Sequence, residues 1–419
     1  MSRLVPPVAV GPVAVCAWLC AAALADGVAA APALAAPGPE RQLSAPQSPR
    51  SPEPASALGG VVAQEPRWGG VVAPRVAWSF QAAAPVSAAP AVSDVGGAYL
   101  STVEGYVHAL AADGGFRWSY GLAGVPIGEP ALDLSGHVYV ATTAQRIYSI
   151  RSDGHLQWER HTPSRIASAA VWSAPGQLSY AARDQSVYAV SVWGDPLWKV
   201  GLGKSALLAP TSLASGGLAV ATEGAELRLL RGSSPGARLP LPGSPTQPVL
   251  SAGDRLWVVS EGEVLALQSQ PGLQVVWRAR GRRAALSADA EWLLSESGGN
   301  WSWRAAGSGE LCHRIQLPDE ASAAPALTNA GVALIPLVSG ELLLIDPVSS
   351  ESARVRVGTA PLWRPLWDEA RQRALVAAGD GALAAIELGA WPASLERDGE
   401  RRPELEGAAH AAPAPGGGA

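Results

Sequence analysis

The chain is short of the residue types that carry most chemistry. Of its three cysteines, Cys16 and Cys20 fall in the first twenty residues, and only Cys312 lies in the body of the sequence. Once a leader is removed, no intrachain disulfide can staple the fold. Lysine occurs only at Lys199 and Lys204, and asparagine only at Asn300 and Asn329. That skew fits GC-rich coding better than a designed surface. Net charge is −5 and the arginines are scattered, so there is no basic stripe to follow a phosphate backbone, and nucleic acid is not an expected partner. The histidines (His108, His137, His155, His161, His313 and His410) never fall at H-x-H or H-x-x-x-H spacing. Cys312 and His313 are adjacent, and on a strand they point to opposite faces and cannot share one ion. There is no S-x-x-K pair or phosphate loop. Asp113, Asp153 and Asp380 each precede a glycine, where turn formation explains them. No catalytic, cofactor-binding or metal-ligating residue is assigned.

What the chain does have is a repeat. A hexapeptide of β-type residues begins at Gly105, Gln145, Gln185, Ala225, Gly262, Gly299, Gly340 and Gly381, with steps of 40, 40, 40, 37, 37, 41 and 41. Alternating apolar positions separated by Gly or Asp-Gly steps indicate short half-buried strands joined by tight hairpins. Four such strands in about 40 residues make one blade of a radial array. The expected fold is all-β: an eight-bladed β-propeller of four-stranded antiparallel blades over residues 70–391. Tryptophan marks the last strand in phase at Trp78, Trp118, Trp158 and Trp198, and again after a drift at Trp277. Those five are expected to dock into packing sites. In later units the position is read as Leu239, Ile315 and Val355 or Val357. Trp78 lies one period before Trp118 with no hexapeptide ahead of it, whereas the eighth hexapeptide lacks a following outer strand. The segment around Trp78 is therefore expected to pair with residues 381–386 and close the ring, which also removes an unpaired edge.

The two ends read differently. Residues 1–25 resemble a signal peptide, with Arg3 as the one charge, an apolar run from Val5 to Leu24 and Ala23-Leu-Ala25 as a cleavage site. Ala33-Leu-Ala35 is a second candidate site. Cys16 or Cys20 could carry a lipid, although the preceding Val15 and Leu19 are bulkier than such a site normally has. Residues 26–69 are rich in Pro, Ala, Ser and Gly, and residues 392–419 are polar with a glycine-rich end; both are expected to be disordered.

The segment Ala109-Leu-Ala-Ala-Asp-Gly-Gly-Phe-Arg-Trp118 is similar to the A-x-D-x-x-T-G-x-x-x-W repeat of the pyrroloquinoline-quinone (PQQ) type, tryptophan-docking β-propellers. Weaker copies end at Trp158 and Trp198. This resemblance implies one of two branches. Quinoprotein dehydrogenases hold PQQ and calcium in the central funnel and often use a disulfide of adjacent cysteines, which this chain lacks outside its leader. The other, BamB-like branch consists of non-enzymatic eight-bladed scaffolds, and the length and exported character here are similar to it. Function is thus expected to be binding of an unidentified envelope protein by a monomeric, periplasmic or envelope-associated scaffold without cofactor. A PQQ-dependent dehydrogenase is the alternative. A third reading, a carbohydrate-binding or adhesion module, rests on Trp292, Trp301, Trp303, Trp363 and Trp367 forming an exposed aromatic surface.

Overall fold

The computed structural model describes residues 74–388 except 207, 271, 348 and 349; the expected leader, tether and tail lie outside them. Within this span, thirty-two strands form eight four-stranded antiparallel sheets, and one short 3-10 turn, Glu369–Arg371, stands beside the last of them. The protein is an eight-bladed β-propeller. Each hexapeptide forms the third strand of a blade, from Tyr106–Leu110 in blade one through Ala382–Glu387 in blade eight. Its first residue is left-handed in all eight cases, with φ from 55° to 99°. That conformation closes the hairpin from the second strand. Glycine reaches it without a steric cost, whereas Gln145, Gln185 and Ala225 adopt it against their Cβ. In blades five and six the hairpin shrinks to two residues, Glu261-Gly262 and Gly298-Gly299, both left-handed in each pair. This is type I′ geometry, one residue shorter than the blade-one loop, and it contributes to the steps of 37.

The ring closes through Arg75–Gln81, which pairs antiparallel with Ala382–Glu387 and sets Trp78 opposite Ala385. Blade eight grips blade one by a second device. Arg373, 5 % exposed, donates from Nη1 to the carbonyl of Ala112 at 2.6 Å and from Nη2 to that of Gly96, with Asp368 as its counter-ion at 3.5 Å. A buried guanidinium is tolerable only with such partners.

Among the described residues, the apolar core is divided into eight clusters, one between each pair of neighbouring blades. Tyr139, Ile147 and Trp158 of blade two meet Leu178 and Tyr180 of blade three, and Leu375 and Leu383 of blade eight meet Leu100 and Leu110 of blade one. No blade has a core of its own, so each sheet is stable only beside its neighbours. Around the axis the inner strands are tied by polar contacts between blades. Trp172 Nε1 donates to the Leu132 carbonyl at 2.7 Å, Thr211 to Val249 at 2.7 Å, and Gln247 both donates to and accepts from Ala284 at 2.9 Å.

Candidate functional site

A four-stranded antiparallel blade sends its second-to-third hairpin and its inter-blade connectors to one face of the ring. The other two hairpins go to the opposite face. The docking tryptophans belong to that opposite face. The indole Nε1 of Trp78 donates to the Ala112 carbonyl at 2.9 Å, Trp118 to Ser152 at 2.9 Å, Trp158 to Val192 at 2.7 Å, and Trp277 to Ala306 at 3.2 Å. Each acceptor is in the third-to-outer hairpin of the next blade. A glycine in that hairpin lies under the ring: a Cβ on Gly114 would come within 2.6 Å of Trp78, and one on Gly154 within 2.7 Å of Trp118. Trp198 differs. The next blade's hairpin is a two-residue turn, Gly232-Ser233, so the carbonyl that would accept its proton is missing; its indole donates to no described residue and packs against the blade-three and blade-four core instead.

Register corrects the later positions. In blade one His108 pairs with Ser119 and Ala109 with Trp118. By the same count the docking position in blade six is His313, opposite Trp303, and in blade seven Ala353, opposite Leu344. In blade four it falls at Ala237, beside the Arg228–Arg238 cross-strand pair. Leu239, Ile315 and Val355 sit two residues beyond, at the register of Tyr120. In blade six His313 substitutes for the tryptophan. Its ring meets Trp303 edge-on at 5.6 Å, and its Nε2 approaches Ser350 Oγ of the next blade at 3.5 Å. Among the described residues blade eight has no third-to-outer hairpin for blade seven to dock on, because its outer strand, Arg75–Gln81, precedes blade one in the sequence. Sequence inspection missed these positions because a repeated register, not a repeated side chain, defines them.

The late tryptophans do not form an exposed surface. Trp301 and Trp303 are 1 % and 0 % exposed, and Trp292, Trp363 and Trp367 are half-buried against three separate core clusters. The carbohydrate or adhesion reading loses its basis, because these rings are taken up by packing between blades. The exposed apolar residues are elsewhere. Leu134 (93 %), Val95 (75 %) and Trp193 (64 %) stand at hairpin tips of blades two, one and three, all on the face of the docking contacts.

The connector face is polar. Arg364, on the connector into blade eight, holds Glu129 on the connector into blade two, with Nη2 at 2.6 and 2.8 Å from its two oxygens. On blade three, Lys199 lies 2.9 Å from Asp184, which also accepts from Tyr188 Oη at 2.6 Å. The hydrogen bonds that Lys199 donates, to Tyr188 first and then to Asp184, raise its pKa. Asp113, Asp153 and Asp380 accept backbone N–H groups two residues on, at 3.0, 3.2 and 3.2 Å. Among the described residues no three His, Cys, Asp or Glu side chains gather as metal ligands. Between blades five, six and seven the same face opens into a cavity of 730 Å³ bordered by Gln247, Arg282, Arg283, Glu296, Trp301 and Glu320.

Residues 61–279, just over half of the chain, match the family model described as outer membrane protein assembly factor BamB. The chain belongs to that family. No curated protein matches it. Among solved structures it is similar to BamB from Moraxella catarrhalis, at 11 % identity and a TM-score of 0.62, over 75 % of this chain and 99 % of that one. It is equally similar in fold to Sqt1 from Saccharomyces cerevisiae, at 10 % identity and a TM-score of 0.62, over 74 % and 98 % of the two chains. At such identities the structural likeness establishes the propeller and nothing finer. No described helix is long and apolar enough to cross a membrane.

Proposed function

We propose that the protein is an exported, non-enzymatic scaffold that binds a protein partner in the cell envelope. The observation that carries this reading is the family match over residues 61–279, whose description is an outer-membrane assembly factor. The signal-like segment at 1–25 supports export, and Cys16 or Cys20 would supply a lipid anchor if one is attached. The mechanism is presentation. Eight sheets packed edge to edge form a rigid ring, and loops of differing length and chemistry are held on it at fixed separations. Leu134, Val95 and Trp193 give one face apolar tips suited to a protein surface. The ring acts as a monomer and carries no cofactor.

The dehydrogenase alternative asks for a quinone and a calcium ion, the latter with about six to eight oxygen ligands. The residues of the connector face fit this poorly. Glu129 is engaged bidentately by Arg364, and Glu296 lies 3.8 Å from Arg283 and accepts the Gly299 N–H at 3.0 Å. Titration calorimetry of the purified chain with PQQ and calcium, followed by a dye-linked alcohol oxidation assay, separates the two. The scaffold reading predicts no saturable heat and no dye reduction; stoichiometric binding with turnover would replace it with the enzyme.

A further inference from the structure

One docking tryptophan of the ring lacks its acceptor, and the sibling seams show what belongs there. At Trp78, Trp118 and Trp158 the indole Nε1 donates to a carbonyl two residues before a glycine: Ala112 before Gly114, Ser152 before Gly154 and Val192 before Gly194. Those glycines are left-handed, with φ of 84°, 89° and 83°, and a Cβ on any of them would fall 2.6 to 3.0 Å from the ring. The element held at these three seams is thus a glycine turn. Its carbonyl takes the N–H, and its bare glycine lies against the indole face where a side chain would not fit.

Trp198 has the same register, opposite Ala189. Blade four answers it only with Gly232-Ser233, and a Cβ on Gly232 would meet nothing within 4 Å, so no turn lies under this indole. The ring is half-buried along the seam between blades three and four, and its Nε1 reaches solvent without an acceptor among the described residues. The donor is presented, not stranded in a core. A cation is left over for the same reason. In blade two Arg151, the residue after Ile150 of the third strand, pairs with Asp153 of its own turn at 3.3 Å. Arg231 follows Leu230 in the same way, but the shortened turn of blade four contains no aspartate. Arg231 is exposed and has no partner among the described residues. Leu197, next to Trp198 on the outer strand, is an exposed apolar border to the opening.

We propose that the slot at Trp198 docks a turn of the form x-Asp-Gly from a protein partner, in the place that the next blade's hairpin takes at the other seams. Trp198 Nε1 donates to the carbonyl of x, the left-handed glycine lies against the indole, and Arg231 pairs with the aspartate. The site rests on the scaffold reading and names the element by which a partner is held.

The test uses the full chain with ¹⁵N-labelled tryptophan, the Trp198 indole resonance being identified by its loss in Trp198→Phe. The probe is a cyclised hairpin carrying Ile-Arg-Ser-Asp-Gly-His-Leu, the sequence of residues 150–156, and its comparison has Val in place of Gly. The expected result is a saturable downfield shift of that resonance, weakened by at least about tenfold with the Val hairpin and by about two- to fivefold in Arg231→Gln. A second variant fills the slot from within by replacing Gly232-Ser233 with the Ser-Asp-Gly-His turn of blade two, and its Trp198 resonance should no longer respond to the hairpin. A resonance that stays still at millimolar hairpin, or a Val hairpin that binds equally well, overturns the site. In envelope extract, a partner captured by both the parent and the filled variant also overturns it and leaves the scaffold reading standing. Capture of no partner by the parent chain removes the scaffold reading itself.

Discussion

Where an outer strand carries a docking tryptophan, the residue opposite on the third strand is small: Ala385 for Trp78, Ala109 for Trp118, Ser149 for Trp158, Ala189 for Trp198 and Ala266 for Trp277. Where the tryptophan is absent, the opposite residue is large, as with Trp303 facing His313 and Leu344 facing Ala353. Close packing makes this exchange necessary, since the paired positions fill one space. Trp118→Ala should lose about 3–5 kcal/mol in chemical denaturation. Adding Ala109→Leu, which imitates blade seven, should recover on the order of 1 kcal/mol, a coupling that simple additivity would not give. His108 makes a second case. It occupies the register of Tyr148 and Tyr188 and meets the Phe80 and Tyr106 rings, at 5.9 and 6.2 Å, and its buried Nδ1 has no partner among the described residues. Burial lowers its pKa. The folded ring therefore keeps it neutral, and the unfolded chain takes the proton first as pH falls. Its contribution is intact above the ordinary imidazole value of about 6.5 and is lost below it, down towards the lowered folded value. His108→Tyr should flatten that part of the stability–pH curve; an unchanged slope would mean other groups set it.

At the scale of the strand, the closing segment has more to do than any other outer strand. Arg75–Gln81 covers the edge of Ala382–Glu387, and Trp78 seals the seam by docking on blade one. Deleting residues 26–81 should expose a full edge and abolish the cooperative melting transition, whereas deleting 26–65 should leave the melting temperature within about 2 °C of the parent. Equal effects of the two deletions would contradict the closure. This strand was legible in the sequence because Trp78 keeps phase with Trp118 and the eighth hexapeptide lacks a partner. The docking positions of blades four, six and seven were not, because apolar residue type points to Leu239, Ile315 and Val355 instead. What places a side chain there is cross-strand register, offset in blades four and six by a bulge in the outer strand and regular in blade seven, and this does not show in residue type.

For the whole molecule, the repeat period determined blade count and ring closure, because eight clusters between eight sheets leave no other way to bury the apolar strands. Function was less legible. The loops that distinguish one propeller from another are short, irregular and free of chemical motifs, and a tryptophan-rich stretch that suggested a binding surface turned out to be packing between blades. The central claim is that this ring holds an envelope protein without performing chemistry. It is tested most directly by affinity capture from envelope extract on the chain beginning at residue 26, quantified by mass spectrometry against a heat-unfolded control of the same chain. The expected result is one or a few envelope proteins retained in near-equimolar amount by the folded ring and absent from the control. Retention no greater than the control, across repeated extracts, would contradict it.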